Sequence, residues 1–214
     1  MKRIGIIAFL CSCASLLFAE INPEAIALLD KTSNIYKQST GTEISLNIGI
    51  DDAQTGQKTS VKGTLKTRDK RFVLTTSFAT MSFDGQNLYI YQPDVNEITI
   101  SSPAENEVKD LDPTQIMSNY SEGFQIPKPE YITENGKKMA IISLYPEDKA
   151  EDYFKLSLKV ETETNKPVQI STYGKNGMTN TIDILKIETN KNFSEKELMF
   201  DLKKHPKAQI IDIR

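Results

Sequence analysis

The chain has 214 residues, with 26 Lys and Arg against 29 Asp and Glu, a formal charge of −3. That balance excludes a general nucleic-acid binder, which needs a basic surface to neutralise phosphates. A single histidine, His205, leaves almost no material for histidine-based metal centres or catalytic triads, and the length allows one domain or at most two small ones.

Met1-Lys2-Arg3 is a short basic start, followed by an apolar run from Ile4 to Leu10 and, after Cys11-Ser12-Cys13, by Leu16-Leu17-Phe18-Ala19. A basic start, a short apolar segment and a small residue before Glu20 describe a secretory signal peptide, too short and too interrupted for a membrane span. The expected division is therefore residues 1–19 as signal peptide and 20–214 as one exported domain. Leu10-Cys11-Ser12-Cys13 also fits the Leu-x-small-Cys pattern at which bacterial lipoproteins are acylated, so lipidation at Cys13 is the competing reading. Cleavage after Ala19 removes Lys2 and Arg3 and leaves 24 basic against 29 acidic side chains. It also removes both cysteines, so the mature chain has neither a disulfide nor a thiolate nucleophile.

Asn22-Pro23-Glu24 reads as a helix start, with Asn as cap and Pro at the first helical position. Apolar residues at helical spacing from Ala25 to Tyr36 predict a helix to about Gln38, and Gly41 ends it. The period then changes to two. Ile44, Leu46, Ile48 and Ile50 alternate with polar residues, as do Val61 to Thr67, Phe72 to Phe78, and Met81 with Phe83. Asp84-Gly85 marks a hairpin, after which Leu88 and Ile90 point one way and Tyr89 and Tyr91 the other. Ile98 and Ile100 carry the next strand. Alternation stops between Ser102 and Lys128, where Asp112-Pro113 and then Ile116, Met117 and Tyr120 predict a short helix inserted between strands. Strands resume at Tyr131-Ile132, Met139 to Tyr145, Phe154 to Val160, Val168 to Thr172 and Met178 to Ile187. A last strand near Leu198 to Leu202 and a tail at Ile210 to Ile213 complete the chain, giving ten or eleven strands in antiparallel hairpin order.

Chemistry is sparse. The carboxylates sit opposite apolar residues in strands or in turns, where solvation explains them. Neither Asp51-Asp52 nor Glu105-Asn106-Glu107 has the spacing of a calcium loop. His205, between lysines and Pro206, reads as a solvated turn residue. The glycines form no phosphate-cradling loop. No enzyme, metal or cofactor is expected. What remains is an excess of one-sided apolar strands with few helices to cover them. Either the sheet folds on itself as a sandwich, or it curves around a hydrophobic ligand with the helices on its concave face.

The segment Phe83-Asp84-Gly85-Gln86-Asn87-Leu88-Tyr89-Ile90-Tyr91-Gln92-Pro93-Asp94 resembles the Asp-Gly hairpin of the LolA family of periplasmic outer-membrane lipoprotein carriers. The opening helix with Leu29-Asp30-Lys31 matches in order and spacing. So do Gly63-Thr64-Leu65 before the basic corner of Arg68 and Arg71, Asn192-Phe193 before Leu198-Met199-Phe200-Asp201, and the tail from Pro206 to Asp212. The familiar hairpin Trp is Tyr89 here.

The resemblance implies a mainly β (α+β) fold: a single, strongly curved antiparallel sheet, an open half-barrel, with an N-terminal helix and a mid-chain helical lid over an apolar cavity. On that fold, strand parity assigns the acyl-chain lining to Leu46, Ile48, Leu65, Phe72, Leu74, Phe83, Leu88, Ile90 and Ile100, with Ile116, Met117 and Tyr120 under the lid. The family closes its lid with an arginine bonded to backbone carbonyls; Arg68 lies nearest that position, and Arg71 is the other candidate. The implied partners are acylated lipoproteins as cargo, an inner-membrane ABC transporter as donor, and an outer-membrane acceptor, with the carrier a monomer in the periplasm. A membrane-anchored acceptor or envelope-stress sensor on the same scaffold, lipidated at Cys13, is the alternative.

Overall fold

The Asn22 side chain accepts hydrogen bonds from the backbone N–H groups of Glu24 and Ala25, at 3.0 and 3.3 Å. Pro23 occupies a first-turn position where a missing N–H costs nothing, so the helix α1 runs Pro23–Lys37 as its spacing predicts. The computed structural model describes residues 21–104 and 123–214. The expected signal peptide with Cys11 and Cys13, and the expected lid helix with Ile116, Met117 and Tyr120, lie outside the described residues.

Thirteen strands follow among the described residues: β1 (Thr42–Asp52), β2 (Lys58–Arg68), β3 (Arg71–Thr76), β4 (Thr80–Phe83), β5 (Leu88–Gln92), β6 (Glu97–Ser101), β7 (Phe124–Gln125), β8 (Glu130–Glu134), β9 (Lys137–Pro146), β10 (Tyr153–Glu161), β11 (Pro167–Gly174), β12 (Met178–Glu188) and β13 (Gln209–Asp212). They form one open sheet in the order β13-β6-β5-β4-β3-β2-β1-β12-β11-β10-β9-β7, with β8 also paired to β9. Neighbouring strands twist by about 20°, so a sheet this wide coils rather than lies flat.

The turns follow local chemistry. Asp84 Oδ1 accepts from the N–H groups of Gln86 and Asn87, at 2.9 and 2.8 Å, and Gly85 takes a φ of +102° that a side chain would resist. Asn135 and Gly136 both have positive φ, which sets the tight β8–β9 hairpin. Leu185 is the extra residue of a bulge: Lys186 pairs with Ser45 while Ile184 pairs with Leu46.

Two features of the C-terminal region differ from the sequence expectation. The stretch near Leu198 to Leu202 is not a strand but lies between two 3₁₀ turns, Glu195–Leu198 and Leu202–Lys204. Local side-chain bonds compete with the ladder there. The Ser194 N–H and Oγ both donate to Glu197 Oε2, at 3.0 and 2.9 Å, and Asp201 Oδ1 accepts from the Lys203 N–H at 3.1 Å. Secondly, the sheet is not purely antiparallel. The tail returns as β13 parallel to β6, pairing Gln209 with Glu97 and Asp212 with Ile100, because residues 189–208 cross the sheet before rejoining its edge.

Candidate functional site

Strand register divides the apolar residues between the two faces of the sheet. On one face Ile187, Ile44, Leu65, Leu74, Met81 and Ile90 lie side by side across six strands. A second row runs Ile48, Ile182, Ile170, Leu158 and Ile142 across five. Phe72, Phe83 and Leu88 form a third, with the rings of Phe72 and Phe83 6.1 Å apart. These side chains share one core cluster with Ala25, Leu29 and Tyr36, so α1 packs on this face. Ile44, Leu46, Leu65 and Phe72 are fully buried, whereas Ile48, Leu74, Met81, Ile90 and Ile182 stay partly exposed. Thr32, on the buried side of α1, carries a buried hydroxyl without a hydrogen-bond partner among the described residues.

The helix is tied to the far edge of the sheet. The Asn22 N–H donates to the Ile126 carbonyl at 2.8 Å. The Tyr131 hydroxyl on β8 donates to Glu24 Oε1 at 2.7 Å, and this bond to a carboxylate raises the phenol's pKa above its usual value.

Eight of the nine residues expected to line a cavity are brought together on this face: Leu46, Ile48, Leu65, Phe72, Leu74, Phe83, Leu88 and Ile90. Ile100 is a correction. It pairs with Tyr89, one residue out of phase with Leu88 and Ile90, and therefore faces the other side of the sheet. The alternation within β6 is present as expected, but which of the two alternating sets faces the core is decided by pairing across the hairpin.

Both candidate arginines engage the C-terminal segment. Arg68 Nη1 donates to the Phe193 carbonyl at 2.6 Å and Nη2 to Glu195 Oε1 at 2.5 Å, while Arg71 Nη1 pairs with Glu195 Oε2. Arg71 and Arg68 together hold the Glu195 carboxyl below the usual glutamate range. Lys66 bridges Glu197 at 3.2 Å and Glu43 at 3.8 Å.

The opposite face carries an arrangement that sequence reasoning missed. The ring of Phe200 stacks on Tyr89 at 5.7 Å and on His205 at 5.3 Å, and His205 lies 3.9 Å from Tyr91. His205 is thus half-buried in an aromatic stack rather than a solvated turn residue. The outward aromatic pair Tyr89 and Tyr91 was the one visible signal of it. Together with the arginine clamp, the stack straps residues 193–205 across β2 to β5. Among the described residues no three His, Cys, Asp or Glu side chains converge to hold a metal ion, and no helix is long and apolar enough to cross a membrane.

Residues 15–175 match the family described as outer membrane lipoprotein carrier protein LolA. Among solved structures, an uncharacterized conserved protein from Thermus thermophilus superposes with a TM-score of 0.57 at 9% identity, covering 88% of this chain and 98% of its own. That similarity establishes a shared fold. A LolA superfamily protein, NE2245 from Nitrosomonas europaea, superposes with a TM-score of 0.44 at 11% identity, covering 85% of this chain and 100% of its own. The Mycobacterium tuberculosis lipoprotein LppX gives 0.48 at 13% identity, with coverage of 81% and 99%. No curated protein matches the chain.

Proposed function

We propose that this chain, which belongs to the family of the outer membrane lipoprotein carrier protein LolA, holds the acyl chains of lipoproteins against the apolar face of its sheet and carries them across the periplasm. The observation that carries this reading is the pair of continuous apolar rows, from Ile187 to Ile90 and from Ile48 to Ile142, with α1 as the one α-helix over them among the described residues. A row that pairs Leu74, Met81 and Ile90 without fully burying them is suited to a ligand that arrives and leaves.

The physical need for a carrier is large. An acyl methylene in water costs about 0.8 kcal/mol, so three chains of about 15 methylenes face a penalty on the order of 36 kcal/mol. An apolar surface that stands in for the bilayer removes most of that penalty. In this reading residues 1–19 direct export and 20–214 form the carrier domain. The segment around Ile116, Met117 and Tyr120 covers the bound chains, an inner-membrane ABC transporter loads them, and an outer-membrane acceptor receives them. No cofactor or catalytic group enters the process.

The deciding experiment adds the purified chain to spheroplasts and analyses the supernatant for lipoproteins. Release of lipoproteins in a soluble one-to-one complex is the expected result. Absence of release, under conditions where an established carrier works, overturns the shuttle. The Cys13 motif favours a second reading, an anchored acceptor or stress sensor, and mass spectrometry of the mature N-terminus separates the two. Glu20 as the first residue supports the soluble carrier; acylated Cys13 supports the anchored form.

A further inference from the structure

The strap leaves a cleft of about 310 Å³ between itself and the outer face of the sheet. We propose that this cleft is a second binding site, separate from the acyl-binding face, for a small phosphorylated polyol such as glycerol phosphate. Its floor is set by register: Thr64 pairs with Thr75 and Thr75 with Thr80, so three hydroxyls line up across β2, β3 and β4. Ser82 lies in the adjoining row between Val73 and Tyr89, wholly buried beneath the cleft, and among the described residues its Oγ has no hydrogen-bond partner.

The strap supplies the charge. Glu197 and Asp201 border the cleft but are already committed, to Lys66 and Ser194 and to the Lys203 N–H respectively. Lys196 and Lys204 also border it, and among the described residues neither is paired with a carboxylate. Two available ammonium groups opposite a hydroxyl floor suit a ligand with an anionic end and a hydroxylated end.

Size narrows the class. At about 30 Å³ per water the volume holds about ten waters, which is ample for a bare ion and right for a three-carbon polyol phosphate. An acyl chain is disfavoured, because it would bury the threonine hydroxyls unpaired. The inference does not depend on lipoprotein carriage, because the acyl-binding rows lie on the opposite face.

The test is a titration of the full chain, followed by amide NMR, with sn-glycerol 3-phosphate, glycerol and inorganic phosphate. Saturable shifts at Thr75, Thr80 and Lys204 are expected, with glycerol 3-phosphate bound about tenfold tighter than either fragment. Replacing both Lys196 and Lys204 by alanine should weaken it about tenfold, and Thr80→Val should abolish its advantage over inorganic phosphate. These positions are exposed or half-buried, and retained dispersion of the remaining spectrum shows that each variant folds. Absence of saturable shifts overturns the site. So does equal affinity for glycerol 3-phosphate and phosphate that Thr80→Val leaves unchanged, which would mean a nonspecific charge contact. Once binding is established, co-sedimentation with phosphatidylglycerol vesicles that glycerol 3-phosphate competes away identifies the ligand as a lipid headgroup. Binding of the soluble compound without co-sedimentation identifies a free metabolite. Both results uphold the site, and unaltered lipoprotein release by the lysine variant keeps it distinct from carriage.

Discussion

Arg68 donates to the backbone carbonyl of Phe193 at 2.6 Å, 125 residues away in sequence, and so fastens the strap to the corner between β2 and β3. The Arg68 side chain is only 20% exposed and Phe193 is buried, so the bond is shielded from water. Arg68→Ala should cost about 1–2 kcal/mol, the range for a lost charge-assisted hydrogen bond in a partly buried place. Arg71→Ala removes a more exposed pair with Glu195, which water and salt screen, and should cost less. Urea unfolding of the two variants measures the difference. Hydrogen exchange should show faster opening of residues 193–204 in Arg68→Ala, while β1 and β12 stay protected.

The same clamp carries a pH dependence whose sign follows from Glu195. Its folded-state pKa lies below the ordinary value of 4.5, through hydrogen bonds first from Arg71 and then from Arg68. A depressed carboxylate contributes stability above its unfolded pKa and loses it as pH falls through the folded value. Strap protection should therefore be level near neutrality and fall off below about pH 4.5. Glu195→Gln should lower protection at neutral pH and flatten this part of the profile. A profile identical to that of the parent chain would remove Glu195 from the clamp.

The strap also explains where sequence reading stopped. Strands β1 to β6 and β9 to β12 were legible because one buried face imposes a period of two, and the caps at Asn22 and Asp84 set element ends by local hydrogen bonds. The strap has no such period. Its contacts join residues more than 100 positions apart, such as Arg68 with Phe193 and Asn96 with Lys207, and its 3₁₀ turns rest on Ser194 and Asp201. The assignment of Ile100 failed for a related reason. Alternation specifies two sets of side chains in a strand, but only the pairing with Tyr89 specifies which set faces the core.

Gly41 marks the junction where α1, the sheet and the strap meet. Its N–H bonds to Ser39 Oγ, its carbonyl accepts from the Lys191 N–H at 2.9 Å, and Ser39 Oγ also accepts from the Asn190 N–H at 2.9 Å. A Cβ at Gly41 would lie 2.5 Å from the Lys191 carbonyl oxygen and 3.1 Å from the Phe193 ring. The first contact is with backbone and cannot be relieved by a rotamer change. Gly41→Ala should therefore destabilise by about 1–3 kcal/mol and loosen the strap at its origin. Thermal unfolding, with a melting temperature lower than that of Arg71→Ala, checks this.

The division of the sheet into two faces gives a discriminating test of the proposed acyl-binding site. Ile90 is partly exposed and shares a row with Met81 and Leu74, whereas Ile100 is buried beside Tyr89 on the other side. A serine at either position removes a similar apolar side chain, but only the one at Ile90 withdraws surface from a bound acyl chain. Ile90→Ser should weaken binding of a fluorescent fatty acid about tenfold, through roughly 1.5 kcal/mol of lost apolar contact and a hydroxyl placed against hydrocarbon. Ile100→Ser should lower overall stability by more, about 2–4 kcal/mol, because a full cavity forms in a packed region. Measured per folded molecule, its fatty-acid affinity should match that of the parent chain. Equal loss of affinity in the two variants would mean that the ligand does not discriminate between the faces, and the acyl-binding assignment to the α1 side would fall.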